Sequence, residues 1–70
     1  MTNLKQIRKL SNLSQSQLAE KSGVNLRTLQ YYEQGYKDIN KAQAITLYKI
    51  AKSLDTNIEN LMEIKKEVEE

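Results

Sequence analysis

Apolar side chains in this chain recur at intervals of three and four, and the alternation of apolar and polar residues that marks a strand is missing. A half-buried strand needs a period of two and an amphipathic helix a period of 3.6, so the pattern points to helices packed on helices. At 70 residues there is room for one small domain, near the size at which a single core is only marginally stable. The longest run of consecutive apolar residues is two. Neither a membrane span nor the apolar stretch of a signal peptide can be built from that.

The helices can be placed from their stripes and caps. Leu4, Ile7 and Leu10 form a first stripe, capped by Thr2 or Asn3. Ser14 has Gln17 three residues on, a capping-box spacing, ahead of Leu18 and Ala19. Gly23 stops this second helix, Val24 follows, and Asn25 caps a third that runs to Gln34, with Gly35 just past its end. A polar connector from Tyr36 to about Lys41 holds one apolar residue, Ile39. The fourth helix, starting between Asn40 and Gln43, carries Ile45 and Tyr48 beside Leu47, Ile50, Ala51 and Leu54. Asp55 stands at its end, and Asn57 caps a fifth helix with Ile58, Leu61 and Met62. Tyr32 and Tyr48 are expected in the core. The expectation is therefore an all-α fold of five short helices in one domain over 1–64, with an acidic tail at 65–70 that frays.

Composition narrows the chemistry. The chain has no Cys and no His, which removes disulfides, zinc fingers, thiol redox chemistry and histidine-assisted nucleophiles. No paired carboxylates, metal cluster or glycine-rich phosphate loop is present, so no enzyme activity, cofactor or metal is expected. The net charge of +2 divides unevenly. Residues 1–53 carry nine basic and three acidic side chains, a balance of +6, whereas 54–70 carry two basic and six acidic ones, a balance of −4. A basic body suggests a polyanionic partner; a solvated helical surface is the plainer reading.

From Gln15 to Gln34 the spacing is that of a helix-turn-helix. Ala19 is small where two helices cross, Gly23 permits the positive φ of a tight turn, and Val24 fills the angle between the helices. Ser14-Gln15, Leu18-Ala19, Gly23-Val24-Asn25, Leu29 and Tyr32-Glu33-Gln34-Gly35 resemble the lambda-repressor-like domains of the Cro/C1 (XRE) regulator family. Leu47 to Leu54 resembles that family's fourth helix, and the likeness covers Leu4 to Met62. It departs at Ser22, where a larger apolar residue is frequent, and at Asp55, which replaces a common Gly. Arg27 to Glu33 also looks like the recognition helix of MerR-type regulators. Those proteins begin almost at the motif and continue into a wing and coiled coil; here a full helix precedes the motif and two follow.

On a helical wheel with Leu29 and Tyr32 pointing inward, Arg27, Gln30, Tyr31 and Gln34 lie farthest from the core. Leu26 and Thr28 lie on the flanks. Arg and Gln are the side chains that pair with guanine and adenine edges in the major groove. The resemblance implies base contacts from the first turns of this helix, so Leu26, Arg27, Gln30 and Tyr31 are the candidate base readers, helped by Gln15. Leu26 as a partly buried staple, Arg27 as a solvated charge and Tyr31 lying along the helix are the plainer alternatives. Ser16, Asn25, Thr28, Gln34, Tyr36, Lys37, Asn40 and Lys41 are candidates for phosphate contact and positioning, or else part of a solubilising surface. The resemblance also implies a structural ion pair between Arg8 and Glu33.

The expected function is a double-stranded DNA-binding transcription regulator, a repressor that places its third helix in the major groove of a palindromic operator as a homodimer. A cytoplasmic location in a bacterial or phage setting goes with it. The expected dimer contact is the fifth helix and its approach, through Ile58, Leu61, Met62 and Ile64. The alternative is an antitoxin-type module that binds a partner protein as well as its own operator, since the same fold serves that role.

Overall fold

A computed structural model describes residues 2–63 as five α-helices and one 3-10 turn, with no strand among them. The helices are α1 (Asn3–Leu10), α2 (Gln15–Ser22), α3 (Leu26–Gln34), α4 (Ala44–Ser53) and α5 (Ile58–Leu61); the 3-10 turn, Ile39–Lys41, precedes α4. Ile64 and the 65–70 tail lie outside the described residues. No described helix is long and apolar enough to cross a membrane.

Short polar side chains begin the first three helices. The Thr2 hydroxyl accepts the Lys5 amide, and the Asn25 side chain accepts that of Arg27. Ser14 and Gln17 form a reciprocal capping box: the Ser14 hydroxyl accepts the Gln17 amide at 3.0 Å and the Gln17 side chain accepts that of Ser14 at 2.8 Å. Such caps satisfy amides that the helix leaves without partners, each worth about 1 kcal/mol. Asn57 precedes α5 but makes no side-chain cap bond.

Left-handed residues end four of the five helices: Asn12 (φ 60°), Gly23 (77°), Gly35 (85°) and Asp55 (55°). After α1 the Leu13 amide reaches back to the Arg8 carbonyl and the Asn12 amide to Lys9. After α4 the Thr56 amide reaches Ala51 and the Asp55 amide Lys52. Both are the paired backbone bonds by which a chain leaves a helix sharply, and both use a residue that tolerates this conformation better than most. Nothing lies within 4 Å of a Cβ built on Gly23. Its requirement for glycine is therefore one of φ, not of space.

The helices close on one core. Helix α2 packs on both α3 and α4, α5 on α4 and α1, and α1 also touches α3. Leu4, Leu18, Leu29, Ile50 and Leu61 are fully buried, joined by Tyr32, Ile39, Leu47, Ala51 and Leu54. Each large side chain so buried contributes roughly 1.5–3 kcal/mol of transfer free energy. Ala19 and Val24 pack against this cluster at the α2–α3 corner.

Four expectations need correcting. Leu10 is 83% exposed, because three-residue steps each fall short of a full turn by about 60° and carry it round from the Leu4 face. Tyr48 and Ile45 are about half exposed. The inward face of α4 is set by Leu47, Ile50, Ala51 and Leu54, and Tyr48 lies about 110° from its centre and Ile45 nearly opposite. Leu61 is wholly buried in the core and so is not available to a dimer partner as the chain is folded; Ile58 and Met62 are partly covered. Asn40, expected on a phosphate-contacting surface, instead binds the chain end. Its side chain donates to the Glu63 carbonyl and accepts the Glu63 amide, both at 2.8 Å, while Asn3 donates its side-chain amide to the Met62 carbonyl.

The α1 exit generates a prediction. Asn12→Ala should cost about 1 kcal/mol, because an ordinary L-residue is strained at φ 60°. That should lower the thermal midpoint by roughly 4–8 °C. Asn12→Gly should leave the midpoint unchanged or raise it. Equal midpoints for the alanine and glycine variants would contradict the assignment.

Candidate nucleic-acid interface

The second helix of the motif, α3, is anchored by a buried charge. Glu33, 8% exposed, points inward from its last turn and meets Arg8 of α1. The guanidinium donates through Nε to Oε2 at 2.6 Å and through Nη2 to Oε1 at 3.0 Å. A third donor, Nη1, reaches the Leu13 carbonyl at 2.8 Å. Gln15, the first residue of α2, donates its amide Nε2 to Glu33 Oε1 at 2.9 Å. A carboxylate only accepts, so the NH₂ end of Gln15 must face it and the amide oxygen points elsewhere. One carboxylate thus ties together α1, the start of α2 and the end of α3. No buried side-chain polar atom among the described residues lacks a partner.

Of the four residues expected farthest from the core, two are exposed and two half-buried. Arg27 and Gln34 are exposed; Leu26, Thr28, Gln30 and Tyr31 are half-buried. Arg27 has no carboxylate partner among the described residues. Ser16 is exposed beside the half-buried Gln15. The capping box takes the Gln17 amide and leaves those of Gln15 and Ser16 without an intrahelical acceptor. Asn25 is exposed, with its side-chain oxygen occupied by the Arg27 amide.

Past α3 the backbone turns back at once. The Tyr31 carbonyl accepts the amides of Tyr36 and Lys37 at 2.9 and 3.2 Å, and the Gly35 amide bonds to Tyr32. The Tyr31 and Tyr36 rings meet edge to face, with centroids 5.8 Å apart and planes at 77°. This is the apolar contact that accompanies such a helix end. It sets Tyr36 and Lys37 immediately beside the outer face of α3. Lys37 and Lys41 are exposed on the connector, separated by the buried Ile39.

A short helix, a tight turn through a left-handed glycine and a second helix with an exposed polar face define a helix-turn-helix protein. The chain belongs to the Cro/C1-type helix-turn-helix family of DNA-binding transcription regulators, whose family model, described as Helix-turn-helix, matches residues 4–61. No curated protein and no solved structure matches it. The link from Gln15 to Glu33 is the feature that sequence reasoning missed. Gln15 was expected to face DNA, and nothing in the spacing of two residues 18 apart signals the bond.

Removing one partner of the buried pair strands the other. Glu33→Leu or Arg8→Met should each cost about 3–5 kcal/mol, a large fraction of what a 70-residue domain has. The double variant Arg8→Met/Glu33→Leu should recover much of that loss in a denaturant-melt double-mutant cycle. Additive losses would mean that the two groups do not act as a pair.

Proposed function

We propose that this protein is a sequence-specific transcription regulator that binds duplex DNA as a homodimer and represses by covering its operator. The observation that carries this reading is the outer face of α3. Arg27, Gln30, Tyr31 and Gln34 project from a helix whose last turn is tied to α1 and α2 through Glu33. A reading helix must hold its side chains in register with base edges, and a mobile helix would lose that selectivity on binding.

In this mechanism α3 enters the major groove. Arg27 near its start offers a bidentate donor pair to a guanine edge, and Gln30 offers both a donor and an acceptor to adenine. Leu26 meets a thymine methyl group in this reading. Tyr31, leaning on Tyr36, contacts a base or sugar at the far end of the face. The unpaired amides of Gln15 and Ser16 hold one phosphate, and Lys37 and Lys41 hold the backbone on the other side. The Gln15 side chain, with its NH₂ fixed on Glu33, presents its amide oxygen, which suits a base amine better than a phosphate. Two copies on a palindrome would place their α3 helices about one helical turn apart.

Selection of bound sites from random duplex DNA at two salt concentrations tests the reading. A palindromic preferred site is the expected result, and recovery of no preferred sequence would sink it. Within that assay Arg27→Ala should lose discrimination at one or two base positions by roughly 1–3 kcal/mol. Uniform weakening across all sequences would reduce Arg27 to a phosphate contact. Lys37→Ala and Lys41→Ala should each weaken all DNA alike and lower the salt slope by about one unit.

A further inference from the structure

The α4 surface holds charges that the DNA reading does not use. Two shallow grooves meet at the half-exposed Tyr48. On one side, between the end of α2 and the second half of α4, Lys21, Lys49 and Lys52 line the groove with two serines and no acidic residue. None of these lysines is paired with a carboxylate among the described residues. Lys52 instead lies over the Tyr48 ring, its Nζ 5.8 Å from the centroid. On the other side, the groove beside α5 carries Asp55 and Glu59, with Lys52 shared between the two grooves at the ridge. The surface therefore changes sign across an aromatic ridge.

One stretch of the chain has a matching pattern. Residues 64–70 read Ile-Lys-Lys-Glu-Val-Glu-Glu: two positive charges, then three negative ones around a valine. We propose that this segment of a second copy docks across Tyr48, with Lys65 and Lys66 toward Asp55 and Glu59, and Glu67, Glu69 and Glu70 toward Lys21, Lys49 and Lys52. Val68 then meets the Tyr48 ring. Seven extended residues span about 24 Å at most, which exceeds the 10–12 Å width of the helix to be crossed. A simple polyanion would satisfy only the lysine side and would meet repulsion on the other. The occupant is a second copy because Asn40 holds the chain's own Glu63 just ahead of α4: Lys65 and Lys66, two and three residues on, reach about 7–10 Å, short of Asp55 past the far end of a helix about 15 Å long. The contact needs no DNA, so it stands or falls separately from the operator reading.

The test is sedimentation equilibrium of the full chain without DNA, at low and high salt. Self-association that weakens as salt rises is expected, since exposed charges are screened. Two charge-reversed variants follow, Lys21→Glu/Lys49→Glu/Lys52→Glu and Glu67→Lys/Glu69→Lys/Glu70→Lys, with helicity checked by circular dichroism. Each alone should associate at least about tenfold more weakly, because several exposed pairs become repulsions. Mixed together they should associate again, since both contacts of the mixed pair regain opposite charges. If a triple variant misfolds, the single reversals Lys49→Glu and Glu69→Lys serve in the same mixing experiment with a smaller change. A native chain that stays monomeric at low salt, variants that associate as the native chain does, or a mixture that fails to associate would each overturn the proposal.

Discussion

The architecture depends on what it takes to bury a guanidinium. Arg8 is almost completely removed from water, and a charge in that position is tolerated only if its donors are met. Its acceptors come from two places in the chain: the Glu33 carboxylate at the end of α3 and the Leu13 carbonyl just past α1. Glu33 in turn accepts from Gln15 at the start of α2. These bonds are directional, whereas burying leucines is not. The apolar cluster holds the helices together; the polar set specifies how α3 sits against the other two.

Much of the fold was legible because its helix boundaries are written in local chemistry. Ser14 with Gln17, Asn25, Gly23 and Gly35 each act within four residues of sequence, and each acts in the structure as its residue type suggests. Asn12 gave a weaker signal, since asparagine serves as readily in turns and N-caps as at a left-handed helix exit. The core is legible where spacing follows 3.6, as at Leu47, Ile50, Ala51 and Leu54, and not where three-residue steps drift off the buried face, as at Leu10. Tyr48 is not legible for another reason: an aromatic ring suggests burial by type, but its angular position on α4 decides.

The candidate site was legible as a set of residue types on one face, not as a set of contacts. Arg27, Gln30 and Tyr31 follow from the wheel alone. The pairing of Arg8 with Glu33 came from the family resemblance, because no periodicity links residues 25 apart. The amides of Gln15 and Asn40 could not be assigned from sequence at all. A glutamine or asparagine at the surface serves DNA, a neighbouring carboxylate or a passing backbone equally well, and tertiary placement chooses among them. Here it gave Gln15 to Glu33 and Asn40 to Glu63.

The way α3 ends bears on how such a protein changes over evolutionary time. The reversal after Gln34 is made by backbone groups, with the Tyr31 carbonyl receiving two amides and Gly35 supplying the left-handed turn. A carbonyl is present whatever side chain a residue carries. Substitutions at positions 27 and 30 leave these backbone bonds in place, whereas one at position 31 also removes the ring contact with Tyr36. The chemistry of the outer face and the course of the chain past α3 are thus encoded by different atoms, and mutation at the first two positions can revise the one without disturbing the other.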